Sequence, residues 1–319
     1  MKISQLRQLM YNLPSDAMPK DPAWRTSYFR RAGINPGEVY QELEMESCFV
    51  DTHRDVSEVG SQINQHSHNF YELLYCRSDC TLEYLVGTRR YLMQKGDMVF
   101  VPPGVSHQPL LSRHLQQPYI RDVVWVSQEF MRNMCMWFPE LLDHVGRESN
   151  LLRVDDSVRE ELGKLFEQGI LEAEKRKAGW ELAVLGNTIT LMIRLRRACE
   201  EQMAQPLKAE NPQMLDRVLH YIEMNLGEKI TLSDVASRFF VSESTITQLF
   251  RKKMGVSFYH CVTQRRLIAA KSLIGRNVPL EQVSEQVGFA DYSAFYRAFK
   301  KEYGISPAQY RKLLTQNGL

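Results

Sequence analysis

The sequence predicts an α+β chain: a strand-rich region, two long helices, and a C-terminal third that is helical throughout. Three observations carry this. Between about 60 and 127, short apolar runs alternate with turns marked by Gly and Pro. From about 157 to 203, apolar residues recur at three- and four-residue steps. The stretch MAQPLKAENP, residues 203–212, is polar, carries two prolines and interrupts that period.

In chain order, TLEYLVG and RRYLM are two strands separated by a turn, and QKGDMVFVPPG sets Gly and Pro at the ends of an apolar run. YIRDVVWVSQEF, from 119, reads as a further strand. Short strands at this spacing predict a sandwich or small barrel. Two helices follow, over about 157–176 and 179–203. In the second, Leu182, Leu185, Ile189 and Met192 form one apolar stripe, and Leu191 and Leu195 add another face. Such a helix can cover the strand region and also meet a partner subunit, or it can pack within one monomer.

The 319 residues suffice for two domains, and 44% hydrophobic with 24% charged residues is ordinary globular composition. No apolar run approaches the roughly 18 residues of a membrane helix, and MKISQLRQLMYNLPSD has no signal-peptide core. The six cysteines, at 48, 76, 80, 135, 199 and 261, fit reduced thiols in a cytoplasmic protein. Cys76 and Cys80 form C-x3-C without a second pair, which argues against a cysteine metal centre. Net charge is +2, unevenly spread. From Gln213 onward there are 15 basic and 9 acidic residues, against 25 and 29 in the rest. A basic tail domain on a mildly acidic body points to a polyanionic partner.

That tail contains two segments of one plan, ITLSDVASRFFVSESTITQLFRKKMG (230–255) and VPLEQVSEQVGFADYSAFYRAFKKEYG (278–304). Each reads as a short helix, a tight turn, a second helix with an aromatic-basic ending, and a glycine stop. Ser233 is a candidate N-cap, Val241-Ser242 opens the second helix, and Ile246 and Leu249 face inward. In the second segment Gly288 sits in the turn, with Phe289, Phe295 and Phe299 as anchors. A doubled helix-turn-helix motif is far more specific than one copy.

RRLIAAKSLI (265–274), VPLEQVSEQVGF (278–289) and FYRAFKKEYGISPAQYR (295–311) closely resemble the AraC/XylS family of transcription regulators, over roughly residues 213–315. Ser284 stands where the family usually has alanine, and Phe240 where a smaller residue is usual. The resemblance implies double-stranded DNA as partner, with each second helix in a major groove. A linker helix of about Phe258 to Leu273 would then span about 24 Å at about 1.5 Å per residue. Exposed early positions supply the candidate base contacts: Ser244, Thr245, Thr247 and Gln248, then Tyr292, Ser293, Tyr296 and Arg297. Gln248 suits adenine and Arg297 suits guanine. Arg251, Lys252, Lys253, Lys300, Lys301 and Arg311 are candidates for phosphate. The family also implies RNA polymerase as a partner, activation, and a homodimer.

In the strand region, QHSHNFYE (65–72) brings together His66, His68 and Glu72, which can hold a metal, grip a polar small molecule or satisfy one another. The two histidines are i and i+2, so they share one strand face. With GDMVFVPPGVSH, where Gly96, Pro102, Gly104 and His107 keep the spacing, the region resembles a cupin jelly-roll barrel. The asparagine expected after His107 is absent, Leu111 standing there. That resemblance implies His66, His68, Glu72 and His107 as ligands to Zn, Fe, Mn or Ni. Without a metal the same residues, with Tyr71, Tyr84 and Tyr91 as flat faces, bind an effector, and a sugar is the class expected. Tyr75 and Trp125 belong to the same pool.

The sequence therefore divides into an N-terminal extension of unassigned role (1–58), a cupin-like effector barrel (59–156), a helical dimerisation segment (157–203), a linker (204–212) and a double helix-turn-helix domain (213–319). It is expected to be a cytoplasmic, sugar-sensing transcription regulator and not an enzyme. The alternatives are a metal-dependent cupin enzyme fused to a DNA-binding module, and a barrel that serves only to dimerise.

Overall fold

The computed structural model describes residues 45, 47–59, 63–111, 117–143, 150–201, 204–206 and 209–316. Most of the extension expected over 1–58 lies outside the described residues, but its end does not. Val50–Ser57 forms strand β1 and pairs antiparallel along Tyr119–Val126, which is β7. Between them come β2 (Tyr71–Cys76), β3 (Leu82–Val86), β4 (Arg89–Met93), β5 (Met98–Val101) and β6 (His107–Leu110). Two more strands follow, β8 (Leu151–Val154) and β9 (Ala204–Pro206). The expected linker over 204–212 thus begins as an edge strand, β9 pairing with β8.

These strands form a six-stranded sheet, β1-β7-β2-β5-β8-β9, and a three-stranded one, β4-β3-β6. Among the described residues no strand pairing joins the two, so the region is an open sandwich where a closed barrel was expected. Among the described residues, an isolated bridge between His66 and His107 is the one pairing outside the named strands. The large sheet is covered on both faces, which is why its inner strands β2, β5 and β8 read as mostly apolar. Leu74, Cys76, Val99, Val101 and Val123 point into the sandwich, where Leu82, Tyr84, Tyr91 and Met93 of the small sheet meet them. Leu73, Tyr75, Met98, Phe100, Val124 and Val126 alternate to the opposite face.

Helices cover that opposite face. They are α1 (Gln128–Trp137), α2 (Asp156–Lys175) and α3 (Trp180–Glu200). Phe166 of α2 and Leu191, Met192 and Leu195 of α3 are buried against the sheet, each such side chain contributing about 1.5–3 kcal/mol. The first apolar stripe read from the sequence divides in two: Met192 is buried, whereas Leu182 is 73% exposed. Asp122 of β7, fully buried, accepts hydrogen bonds from the guanidinium groups of Arg54 and Arg77, both at 2.6 Å. The pair of bridges pins β1 and β2 to either side of β7.

Helices make up the C-terminal part: α4 (Met214–Met224), α5 (Leu232–Arg238), α6 (Glu243–Lys253), α7 (Phe258–Gly275), α8 (Leu280–Gln286), α9 (Tyr292–Tyr303) and α10 (Pro307–Gln316). The chain forms two compact units, one of residues 47–225 with 230–261, the other containing 226–229 and 262–319. In the second unit, Leu267, Val283, Val287, Phe295 and Phe299 form the core. No helix among the described residues is long and apolar enough to cross a membrane.

Candidate functional site

Two places in the fold collect the residues singled out by sequence. The first lies between the two sheets, where β2, β6 and β7 supply its residues. Glu72 of β2 faces inward and sits opposite Trp125 of β7, whose indole N–H donates to Glu72 Oε1 at 2.8 Å. His68, just before β2, and His107, at the start of β6, bring Nε2 to 3.5 and 3.0 Å from Glu72 Oε2. The three side chains are buried, and their ligating atoms all lie within 4.8 Å of one another. His66 packs its ring on His107, centroids 4.2 Å apart, but stands outside that trio.

Tautomers decide what this cluster can do. The Nδ1 of His66, His68 and His107 lies 2.9, 2.8 and 3.1 Å from the backbone oxygens of Asn64, Phe70 and Val105. A carbonyl can only accept, so each Nδ1 carries a proton, and a neutral ring presents a bare Nε2 lone pair. The Nε2 atoms of His68 and His107 have no hydrogen-bond partner. Two lone pairs facing a carboxylate repel unless a proton or a cation sits among them. Burial pushes the His66 imidazole down to about 3 and lowers that of His68 as well. Burial opposes the charge of Glu72, and the His107 and His68 rings hold its carboxyl well below the usual range only where they carry a proton on Nε2, so the carboxylate as well as the lone pairs calls for a proton or a cation. Two donors on one ion at about 2.0–2.1 Å stand about 2.9–3.3 Å apart, close to the two histidine–Glu72 spacings of 3.5 and 3.0 Å. The backbone-anchored rings are the support metal-ligating histidines ordinarily have, so the residues present fit a divalent cation.

The aromatic residues divide. Tyr84 and Tyr91 are cross-strand partners and both point into the sandwich. Tyr71 precedes Glu72 on β2, so it points the other way, its ring 5.7 Å from Phe100 on the helix-covered face. The structure does not bring Tyr71 to the histidines. Tyr75 lies on that same far face, while Trp125 is at the site.

The second place is the pair of helix-turn-helix units. The cap of α5 is Thr231, whose hydroxyl accepts from the Asp234 N–H, and Ser233 lies inside the helix. Ser242 caps α6 as the sequence suggested. Ser244, Thr245 and Gln248 are exposed on α6 and Thr247 is half-buried. The Ser244 and Thr245 hydroxyls share hydrogen bonds with Ser242, and that of Thr247 donates to the Glu243 carbonyl. On α9, Ser293 and Arg297 are exposed, and Tyr292 and Tyr296 are half-buried. Arg251, Lys252, Lys253, Lys300 and Lys301 are exposed. Arg311 differs: its guanidinium turns inward to donate to the Val278 carbonyl.

Both units turn in the same way. Val241 and Phe289 donate to the carbonyls of Ala236 and Ser284, five residues back. The left-handed residue before each is Phe240 (φ +56°) in the first unit and Gly288 (φ +80°) in the second. A side chain at 288 would collide with the Leu226 carbonyl, so glycine is required there. Phe240 projects into solvent, 94% exposed. Sequence reasoning missed Glu83, whose Oε2 accepts from Lys253 Nζ at 3.0 Å, a pairing 170 residues apart with no local signal.

A family model described as a helix-turn-helix domain matches residues 235–313. The probable transcriptional regulator LumQ of Photobacterium leiognathi is 39% identical over 93 residues, 29% of this chain and 38% of its own length. The arabinose operon regulatory protein of Escherichia coli (strain K12) is 25% identical over 225 residues, 70% of this chain and 74% of its own. Among solved structures, a DNA-binding transcriptional dual regulator from Escherichia coli K-12 aligns at 27% identity with a TM-score of 0.32. The alignment covers 34% of this chain and 99% of that one.

Proposed function

We propose that the chain is a DNA-binding transcription regulator of the AraC/XylS family, which the helix-turn-helix match over residues 235–313 and the regulator relatives support, and that its DNA binding responds to a divalent cation held by His68, Glu72 and His107. The carrying observation is that both histidines spend their Nδ1 proton on a backbone carbonyl and aim a bare Nε2 at the Glu72 carboxylate. Zn, Fe, Mn and Ni all suit two imidazoles and a carboxylate. Such an ion would act as a Lewis acid with coordination positions left for an effector hydroxyl. His66, beside His107, lines the approach to the cluster. Metal-stripped protein titrated with zinc and with manganese should take up one ion per chain, and Glu72→Gln should abolish that uptake. Absence of uptake would leave a histidine-carboxylate cluster without a metal.

The second reading is a sugar gripped directly by the same residues, with Trp125, Tyr84 and Tyr91 as flat faces. Supporting it is the relative named as an arabinose operon regulatory protein, whose match covers 70% of this chain. A thermal shift on adding a sugar that is indifferent to chelator would favour this reading.

DNA is read by Ser244, Thr245, Thr247 and Gln248 in one groove and by Tyr292, Ser293, Tyr296 and Arg297 in the next. The exposed lysines and arginines at the ends of α6 and α9 meet phosphate. The protein acts as an activator that engages RNA polymerase, and it dimerises through α2 and α3, where Leu171 and Leu182 remain exposed. Sedimentation at micromolar concentration showing only a 37.2 kDa species would count against the dimer.

A further inference from the structure

The histidine cluster draws its side chains from both sheets of the sandwich. Glu72 is on β2 of the large sheet and His68 leads into that strand, whereas His107 begins β6 of the small sheet. Among the described residues no strand pairing joins these sheets, so closure of the cluster fastens one sheet to the other. Beside it, His66 and His107 exchange backbone hydrogen bonds at 3.2 and 2.9 Å.

The small sheet also holds helices of the C-terminal part. α4, α6 and the first turn of α7 belong to the same compact unit as the sandwich. Arg90 of β4, buried, donates from Nη1 to Glu83 of β3 at 2.8 Å and from Nε to Asp216 of α4 at 3.3 Å. Its carbonyl accepts from the Glu210 N–H at 2.8 Å, on the approach to α4. Glu83 Oε2 in turn accepts from Lys253 at the end of α6. At the other edge of the sheet, the Ser106 hydroxyl, one residue before His107, accepts from Gln65 Nε2 at 3.2 Å. The Gln65 amide oxygen, one residue before His66, accepts from the Cys261 thiol of α7 at 4.0 Å. Gln65, Ser106 and Cys261 are all buried. These helices therefore rest on the sheet that carries His107, and Gln65 stands between the histidine-bearing segments and α7.

We propose that the small sheet β4-β3-β6 transmits the state of the His68–Glu72–His107 cluster to the first helix-turn-helix unit, with Gln65 as the residue that couples the cluster to α7. This rests on the cation reading above. While two bare Nε2 atoms face a carboxylate, the cluster repels itself and the sheets part there. Once that repulsion is relieved, His107 moves toward Glu72 and carries β6 with it. β3 and β4 follow, because β6 is paired to β3 and β3 to β4. Close-packed elements shift as bodies between discrete arrangements, and closure is favoured to the extent that the cation binds the closed one more tightly. Gln65 suits its role because one amide donates to Ser106 and accepts from α7 at once, so a displacement at 106–107 is felt where α7 begins.

The test is hydrogen exchange of the full chain, metal-stripped and then zinc-loaded, followed by mass spectrometry alongside zinc uptake and duplex affinity. Zinc should slow exchange about tenfold at 105–110, and also along 82–93 and 243–268, which hold none of the three ligands. Gln65→Ala should keep zinc uptake and the slowing at 105–110, lose the slowing at 257–268, and cut the effect of zinc on duplex affinity by roughly half or more. Cys261→Ala removes the same contact from the α7 side and should do likewise, which serves if Gln65→Ala fails to fold. Zinc taken up with slowing confined to 65–72 and 105–110 would overturn the transmission and leave the cation site standing. Slowing at 257–268 that survives both variants would overturn the role of Gln65. Failure to take up zinc at all would overturn the cation reading and this one together, so the two failures are distinct.

Discussion

Lys253 ends α6 and is a candidate for phosphate, yet its ammonium lies 3.0 Å from Glu83 Oε2. To reach DNA it must leave that carboxylate. The two side chains are 41% and 23% exposed, and a pair so open to solvent is worth about 0.2–1 kcal/mol. Glu83→Gln removes the competing charge, while the retained amide oxygen still accepts from Arg90, which protects the fold. The variant should therefore bind a random-sequence duplex about 1.4- to 5-fold more tightly. Its salt dependence should steepen by up to about 0.9, the increment for one more phosphate neutralised. Fluorescence anisotropy between about 50 and 200 mM salt reads both quantities. Unchanged affinity and slope in Glu83→Gln, with the expected loss in Lys253→Ala, would refute the competition between Glu83 and phosphate.

Three further outcomes follow from particular side chains. Phe240 holds a left-handed conformation that costs about 1–2 kcal/mol for a residue of its kind, and its exposed ring buries nothing. Phe240→Gly, after glycine's larger entropy loss of about 0.5–1 kcal/mol, should raise the melting temperature by up to about 6 °C; a fall would show that the ring stabilises the turn. Burial pushes the Lys271 ammonium down to about 7, between the Tyr303 and Tyr310 rings. The unfolded chain then binds more protons between pH 7 and about 10.4, so stability should rise with pH across that window, by at most about 1.4 kcal/mol per unit. Lys271→Met should flatten the rise in denaturant titrations, and an equal rise in the variant would assign it to another group. Arg297→Ala should weaken binding to the preferred site by about 1–3 kcal/mol and relax one base position, whereas equal loss on all sequences would make Arg297 a phosphate contact.

Much of the architecture is written in local pattern. Alternation along TLEYLVG and RRYLM gave the β3–β4 hairpin, and the doubled aromatic-basic motif gave both helix-turn-helix units, because each signal lies within about thirty residues. The edge strands were less legible. VDTHRDVS is polar on one side and becomes β1 only by pairing with β7, seventy residues on. QP in β9 reads as a linker until β8 supplies its partner. At the site, His68, Glu72 and His107 converge because the i to i+4 offset and the β6 return place them together. Tyr71 could have been set aside from sequence alone, since neighbours on a strand point to opposite faces. The Glu83–Lys253 and Arg90–Asp216 pairings depend on tertiary placement and have no local trace.

The proposed role of a cation at His68, Glu72 and His107 is to govern DNA binding. The most direct measurement is duplex affinity of one preparation, metal-stripped and then reloaded with zinc or manganese, alongside Glu72→Gln treated identically. Reloading should change the affinity of the wild-type protein, reversibly by chelator, and leave that of Glu72→Gln unchanged. Identical affinity in stripped and loaded wild-type protein, with the ion demonstrably bound, would contradict it.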